Sequence, residues 1–543
     1  MPKEEGPFHI GEIEAQERAG TREAAASTGG FIRDFMPEQH RAFFSALPFL
    51  VVAGADDTGR PWVSILEGEE GFAKSPTPQS LTFASSFSHD DPLMKSFHHD
   101  ANIGILGIEL STRRRNRLNG RIRNDGEKFI VDVDQSFGNC PQYIREREWY
   151  RVKHKPTLGT RVSDQLSDAQ CRQIKAADTF FIGSGFSLPA RQGGDGYDAS
   201  HRGGDPGFVR IDSKGTLHIP DYDGNKFFNT IGNLLRDPRV GLLFVDFVSG
   251  SMLHITGRAR INWSAIGSHD PNARRMIEVT IEQVIERPAA LALRWRENAD
   301  DHLRLKVVDK VQESAEITSI YLAHQDNIAL PPFLAGQYLP IELNVNGQAG
   351  TVRRNYSLSG PVNENHYRIS VKREDRGVAS RFIHDQLNIG DEINAKQPSG
   401  DFVAPYGRCS LVLVSAGVGV TPMMAMLYAA MKEKQPRPLW FIHGARNPQT
   451  QAFQKEVEAI AAQLSDFKYQ IFYSAAIADE ADGENIYNSG RITADALLAL
   501  NTGADAQYML CGPASFIANI RNGLEKGGVP MSQIHFESFG PSS

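Results

Sequence analysis

The chain has 543 residues, 41% of them hydrophobic and 23% charged, with a formal net charge of -7. At about 150 residues per domain this predicts three or four domains with buried cores, and the acidic balance argues against nucleic-acid binding through bulk electrostatics. The cysteines, Cys140, Cys171, Cys409 and Cys511, form no C-x-x-C pair, so a disulfide scaffold, a zinc ribbon and a cysteine-ligated iron–sulfur cluster are not expected.

The first residues, MPKEEG, are polar and acidic, with no apolar core behind a basic start. No secretory leader is expected, and the cytoplasm is the expected location. Residues 411–431 are uncharged over about the ~20 residues that span a bilayer. Gly417, Gly419 and Pro422 interrupt them, so the run reads as a buried strand, a glycine turn and a helix.

The first half repeats itself. Residues 101–123 align without a gap to 238–260 at an offset of 137. Gly104 meets Gly241, Leu106 meets Leu243, and G-R-x-R at 120–123 meets 257–260. Upstream, 59–68 mirrors 215–224 and 48–54 mirrors 179–185. Each copy is expected to run strand, glycine turn, strand, short helix, then two strands joined by a turn, folded as one small antiparallel barrel. The second copy gains a glycine-rich insertion, including Gly193-Gly194-Asp195-Gly196 and Ser200-His201-Arg202-Gly203-Gly204, as the offset changes from 131 to 156. A glycine-rich loop ending in Arg can bring N–H groups and a guanidinium to a phosphate, or it can be surface loop.

The segments FHIGEIEAQERAG, GRPWVSILEG, FGNCPQYI, SHRGGDPGFVRI and TLHIPDYDGNKFFNTIGNLLRDPRVGLLF resemble the pyridoxamine 5'-phosphate oxidase-like split-barrel proteins over residues 1–265. That resemblance implies six-stranded split barrels that dimerise and bind FMN, haem or a deazaflavin between them. Two copies in one chain would form an intrachain pseudo-dimer, with one of the two sites open to loss. Arg202, Asn225, Lys226 and Asn229 are the ligand candidates. The basic run Arg113-Arg114-Arg115-Asn116-Arg117 reads as a solvated strand end or as an anion site. His98, His99 and His201 are the histidines available for haem.

Residues 262–300 read as polar helix linking the barrels to the second half. From Leu303 short strands return (LRLKVVDKVQES, ITSIYLA, QYLPIEL, RRNYSLSG, YRISVKRE), which predicts another antiparallel barrel. From about residue 408, strands and helices alternate, which predicts a parallel sheet covered on both faces. The whole is a multidomain, β-rich plus α/β chain: split barrels at 1–165 and 166–300, a flavin-binding barrel at 301–406, and a nucleotide-binding domain at 407–543.

Arg354-Asn355-Tyr356-Ser357 ends a barrel strand. Arg354 would pair with a phosphate, Tyr356 would pack on a flavin ring, and Ser357 would reach the ring edge. Gly377-Val378-Ala379-Ser380 opens a helical stretch suited to phosphate oxygens, and Lys372, at the end of the strand before it, is a further cofactor-binding candidate. Ser415-Ala416-Gly417-Val418-Gly419-Val420-Thr421-Pro422 lies where a buried strand opens a helix, the ligand-binding position of open α/β sheets. It is not a GxGxxG fingerprint. Arg446 is a candidate for a 2'-phosphate.

Together with RGVASRFIH, QPSGDF, FIHGARN, YMLCGPASF and HFESFGP, these motifs resemble the ferredoxin–NADP reductase superfamily, most closely the reductase part of flavohaemoglobins, over residues 303–541. The resemblance implies bound FAD, transient NAD(P)H and hydride transfer to the flavin. It places Thr421 and Cys511 beside the nicotinamide, Glu537 at the reacting ring, and Phe539 over the flavin, with Gly417, Gly419, Pro422 and Gly512 as further cofactor-binding candidates. The catalytic candidates are Ser357, Cys511 and Glu537. The globin of flavohaemoglobins is missing here, so the electron acceptor is not given by the reductase half. Three readings follow: electrons go on to a centre such as FMN in the barrels, the barrels hold a substrate that FAD reduces directly, or they dock a separate protein acceptor. Either a monomer or a homodimer fits the sequence.

Overall fold

The computed structural model describes every residue except 1–5, 86, 98–99, 127, 139–142, 154–158, 188–193, 267, 271, 297–301, 346–350, 363, 376, 406, 433–436, 465, 476–486 and 539–543. His98, His99, Cys140 and Phe539 therefore lie outside the described residues. Contacts divide the chain into two units, 1–298 and 299–543.

In the first unit, helices α1 (Ile10–Arg18), α2 (Arg22–Thr28) and α3 (Glu38–Ala46) precede strands β1 (Phe49–Ala55), β2 (Pro61–Glu67), β3 (Ala73–Thr77), β4 (Ser80–Phe83), β5 (Ala101–Glu109), β6 (Arg114–Asn124) and β7 (Phe129–Gly138). These strands form one antiparallel sheet, β2-β1-β5-β6-β7-β4-β3. The connection holds β8 (Glu148–Arg151), β9 (Arg161–Ser163) and α4 (Asp168–Ala176). The second sheet follows: β10 (Thr179–Phe186), β11 (Gly196–Gly203), β12 (Arg210–Ile211), β13 (Leu217–Asp221), α5 (Asn229–Arg236), β14 (Arg239–Asp246), β15 (Ser251–Asn262) and β16 (Arg275–Arg287). Its order, β11-β10-β14-β15-β16-β13-β12, repeats the first strand for strand, with β9 added on β16. β17 (Leu293–Arg296) pairs with β8.

The two sheets pack on each other through a shared apolar layer that includes Val51, Ala53, Val63, Leu106, Phe181, Ala199 and Leu243. Each Val, Leu or Phe side chain of this layer taken fully out of water is worth about 1.5–3 kcal/mol. The repeated glycines explain the fit. A Cβ on Gly104 would strike the backbone of Asp198 and Ala199 in β11, and one on Gly241 would strike that of Pro61 and Trp62 in β2. Equivalent glycines thus admit the edge strand of the opposite sheet at equivalent places.

Three expectations are corrected here. Residues 275–287 and 293–296 are strands, not helix. In β16, Ile277 and Val279 face the core on odd positions and Val284 on an even one. The switch comes from a bulge opposite Thr256 and Gly257, which breaks the period-2 pattern in the sequence. The first sheet has a register shift at the equivalent step, between Asn119 and Gly120. The second correction concerns the insertion, whose Gly196–Gly203 segment is strand β11, paired along its length with β10. Third, the segment 215–224 corresponds in sheet position to β4, not to β2. The match of 59–68 to 215–224 arose because Asp56 and Asp212 cap the same tight turn, each accepting backbone N–H groups two and four residues on. The short helix appears as α5 in the second copy, whereas residues 92–97 of the first copy are turns.

The second unit begins with β18 (Leu303–Gln312), β19 (Ile317–His324), β20 (Tyr338–Leu343), β21 (Val352–Ser357), β22 (Tyr367–Lys372), α6 (Val378–Asp385) and β23 (Glu392–Ala395), an antiparallel sheet ordered β21-β20-β23-β18-β19-β22. A parallel sheet follows, built from β24 (Leu411–Ala416), α7 (Val420–Met431), β25 (Leu439–Ala445), α8 (Gln454–Ala461), β26 (Phe467–Tyr473), β27 (Tyr487–Ser489), α9 (Ala494–Leu498), β28 (Gln507–Gly512), α10 (Ala514–Lys526) and β29 (Ile534–Ser538). Its order is β27-β26-β25-β24-β28-β29. Residues 411–431 form a strand, a short 3-10 turn and a 12-residue helix. Among the described residues no helix is long and apolar enough to cross a membrane. α7, VTPMMAMLYAAM, is apolar on all sides because it is buried between the parallel sheet and the antiparallel lobe.

Candidate functional site

In the parallel sheet, the chain runs outward from β24 through β25, β26 and β27, then returns to β28 on the other side of β24. Open α/β sheets bind ligands at the crevice that such a reversal leaves. The turn Gly417-Val418-Gly419 sits there. A Cβ on Gly419 would press into the Cys511 carbonyl and lie 2.8 Å from the Gly512 nitrogen, so only glycine brings this turn against the end of β28. Thr421 is buried, and its hydroxyl donates to the Val418 carbonyl at 3.0 Å. Pro422 stands in the first turn of α7, where its missing N–H costs no helical bond.

A row of side chains crosses the sheet at this edge. The register pairs Glu537 with Cys511, Cys511 with Ser415, and Ser415 with His443. Residues paired across parallel strands face the same side, here the side of Leu413, Phe441 and Met509, against α7. Ser415 Oγ lies 2.9 Å from His443 Nδ1, and both residues are buried. Burial pushes His443 down to about 4, so its imidazole is neutral at neutral pH. Burial, and then the neighbouring Glu537, push the Cys511 thiol well up. Burial, and then Asp401, push Glu537 up to about 8. Glu537 Oε2 is buried with no hydrogen-bond partner among the described residues. This edge therefore holds protons and offers one unsatisfied carboxyl oxygen.

In the antiparallel lobe, β21 is an edge strand paired only with β20, Ser357 opposite Tyr338 and Arg354 opposite Ile341. Ser357 is buried, and its hydroxyl has no partner among the described residues. Tyr356 is half-buried, and burial pushes its hydroxyl up to about 12. Arg354 is exposed, and its guanidinium donates to the neighbouring Arg353 carbonyl at 2.8 Å. Gly377 opens α6, which carries no side-chain cap. The buried Ser380 hydroxyl instead donates to the Gly377 carbonyl and accepts from the Glu374 N–H, both at 3.2 Å. Lys310 holds the far end of α6 by donating to the carbonyls of Ile383, His384 and Leu387. Lys372 is drawn to Glu316 and Glu374, and Arg446 also reaches Glu316.

These residues fit a flavin dinucleotide on the structure's own terms. A guanidinium faces outward, a helix start lacks a side-chain cap, and a buried hydroxyl and a buried carboxyl oxygen lack partners among the described residues. An isolated protein leaves few such buried groups unsatisfied. Sequence reasoning missed the Ser415–His443 pair, because the two positions lie on separate strands and only the register joins them.

The candidates in the first unit are engaged differently. Asn229 is buried, donating to Glu12 Oε1 at 2.5 Å and accepting from Arg117 Nη1 at 3.2 Å. Arg117 also reaches both Asp198 oxygens at 3.1 Å and Ser200 at 2.6 Å. Arg202 is held by Asp221, which also holds Arg275. Asn225 accepts from the Phe227 N–H, and Lys226 takes a left-handed backbone turn beside it. The basic run is not a solvated strand end: Arg113 pairs with Glu146, Arg114 covers the Phe43 ring, and Arg115 meets His201 Nδ1 at 3.1 Å. His201 is buried, and burial followed by Arg115 holds it well below the usual range. Of the candidates here, Arg202 and Asn229 are thus engaged by carboxylates of the protein, and Asn225 by a backbone N–H. Among the described residues no group of three or more His, Cys, Asp or Glu side chains is placed to hold a metal ion.

Comparison with known proteins agrees with the geometry of the second unit. Residues 302–404 match the oxidoreductase FAD-binding domain, and residues 413–522 match the oxidoreductase NAD-binding domain. The flavohemoprotein of Deinococcus radiodurans is 38% identical over 248 residues, 46% of this chain and 60% of that protein. That of Pseudomonas aeruginosa is 42% identical over 241 residues, 44% of this chain and 59% of that protein. The chain thus spans about 60% of the length of the curated relatives it matches. Among solved structures, the flavohem-like FAD/NAD-binding domain of nitric oxide dioxygenase from Vibrio cholerae is 32% identical, with all of that chain and 44% of this one covered at a TM-score of 0.41. The second unit therefore carries an FAD-binding and an NAD-binding oxidoreductase domain in tandem, the two components of an NAD(P)H-dependent flavoprotein oxidoreductase like the reductase module of flavohemoproteins.

Proposed function

We propose that the chain oxidises NAD(P)H through FAD held by the second unit and passes the electrons to an acceptor bound by the paired sheets of the first. The observation that carries this reading is the edge formed by Gly419, Cys511 and Glu537, where a glycine turn lies against a strand end beside an unsatisfied, proton-holding carboxyl. Bound FAD would supply a hydride acceptor that returns electrons to a second substrate. Arg354 and the start of α6 would hold its phosphates, Tyr356 would pack on it, and Ser357 would offer its free hydroxyl. Thr421, Gly417 and Gly419 would admit the nicotinamide dinucleotide, Cys511 would keep that edge apolar and dry, and Glu537 would hold a proton for the reacting ring.

The split-barrel resemblance supports assigning the first unit to the acceptor. Because Arg202 is paired with Asp221 and Asn229 with Glu12, the favoured reading is an acceptor substrate rather than a second flavin. The test is to release and count flavins from the purified full chain, then follow anaerobic bleaching of the bound flavin by NADH and by NADPH. One FAD per chain, bleached by either nucleotide, is the expected result. A chain that binds no FAD would overturn the proposal, and FMN bound besides FAD would move the acceptor from substrate to internal centre.

A further inference from the structure

The groups assigned to the flavin and those assigned to the nicotinamide lie on different lobes of the second unit. Arg354, Tyr356 and Ser357 belong to β21 of the antiparallel lobe, whereas Gly419, Thr421, Cys511 and Glu537 belong to the parallel sheet and its turns. Transfer between two bound rings requires reacting atoms about 3–3.5 Å apart, so the angle between the lobes must be fixed by protein contacts.

A buried charged residue of the antiparallel lobe crosses this junction. Arg368, on β22, is 4% exposed. Its Nη1 donates to Glu456 Oε1, in the first turn of α8, at 2.7 Å, and its Nη2 donates to the Ser359 carbonyl of its own lobe at 2.5 Å. Its guanidinium carbon lies 5.0 Å from the Phe453 ring and 5.8 Å from the Tyr428 ring, both on the parallel lobe. Tyr428 closes the circuit by donating to Glu456 Oε2 at 2.5 Å. A planar fork clasped by a carboxylate, a carbonyl and two aromatic rings has little angular freedom. A buried ion pair of this kind adds little net stability compared with apolar packing, and its best-attested use is to select one geometry.

We propose that Arg368, with Glu456 and Tyr428, is a positioning clamp that sets the lobes at the angle hydride transfer needs. The inference rests on the functional reading above. The hydrogen-bond and ring partners of Arg368, namely Glu456, Ser359, Phe453 and Tyr428, are not residues assigned to either cofactor, so its loss should spare both binding sites.

The experiment compares wild type with Arg368→Met, Arg368→Lys and Glu456→Gln in the full chain. It measures released FAD, the Kd for NAD+, the limiting rate of flavin reduction by NADH, and the long-wavelength charge-transfer absorbance on mixing. For Arg368→Met we expect FAD content and NAD+ affinity within about twofold of wild type. The limiting rate should fall about tenfold or more, with loss of the charge-transfer band, since small misplacements are costly in such steps. Arg368→Lys, which keeps the charge without the fork, should fall between the two, and Glu456→Gln should show a smaller loss of the same kind. An unchanged rate and band in Arg368→Met would overturn the clamp, as would rate and FAD content falling in parallel in both Arg368→Met and Glu456→Gln. A wild type without FAD would refute the underlying functional reading instead.

Discussion

Glu537 and Cys511 face each other across the last pair of parallel strands, in register and on the sheet side that α7 covers. Both are held in the protonated form at neutral pH in the folded protein, because burial raises both groups, with Glu537 raising Cys511 further and Asp401 raising Glu537 further. The edge nearest the proposed nicotinamide site is therefore a neutral, proton-bearing surface.

The first prediction concerns pH. Glu537 titrates at about 8 in the fold and at about 4.3 in an unfolded chain. Between those values the folded state holds a proton the unfolded state has lost, so this group lowers stability as pH rises through that window. Glu537→Gln should remove that slope, seen as a flatter dependence of the denaturation midpoint on pH from 5 to 8. In turnover, wild-type activity should decline above about pH 8, and the variant should be slower and lack that limb. An identical pH profile in the two proteins would refute a proton role for Glu537.

Ser357→Ala separates catalytic from structural cost by sign. A buried hydroxyl without a partner carries a desolvation penalty of about 1–3 kcal/mol. Removing it should leave the flavin-free protein as stable as wild type or slightly more so, by thermal denaturation. Reduction by NADH should slow by about a hundredfold to a thousandfold, the range for one lost hydrogen bond to a reacting group. Lower stability together with unchanged reduction would exclude the hydroxyl from the site.

Arg354→Met should act on flavin binding alone. Its guanidinium donates only to a neighbouring carbonyl among the described residues, so the fold loses little. A charge-assisted bond to a phosphate is worth about 1.5–3 kcal/mol, or roughly ten- to a hundredfold in Kd. Titration of flavin-free protein with FAD reads this directly, and an unchanged Kd would remove Arg354 from the site.

Arg117→Met should do the reverse. It would leave the Asp198 carboxylate buried without its cation, a loss of about 3–5 kcal/mol. Chemical denaturation should show the first unit unfolding at lower denaturant, while released FAD per chain stays the same. Stability within about 0.5 kcal/mol of wild type would mean the cluster is not a keystone between the sheets.

Much of the second unit was legible in one dimension. Strand–helix alternation after residue 408 and the S-A-G-V-G-V-T-P turn are local signals, fixed by burial periodicity and by backbone room within a few residues. Arg354 and Ser357 could be named from a motif that closes a barrel strand, whereas Cys511 and Glu537 were named through the resemblance of their motifs to the reductase family. In the first unit the 137-residue repeat likewise shows two copies before any coordinate is known.

What required the tertiary structure was pairing and register. One bulged residue reversed the facing of β16 and made a strand look like polar helix. Two Asp-capped turns of the same local chemistry stood at different places in the sheet order and misaligned the copies. Arg202 and Asn229, chosen as ligand residues, met Asp221, Glu12 and Arg117 from distant parts of the chain. Ser415 met His443, and Arg368 met Glu456, only across strands and lobes. Local conformation follows from neighbours in the chain, but the partner of a buried polar group is set by which strands lie side by side. That choice is made by burial of the whole sheet, not by the residues flanking the group.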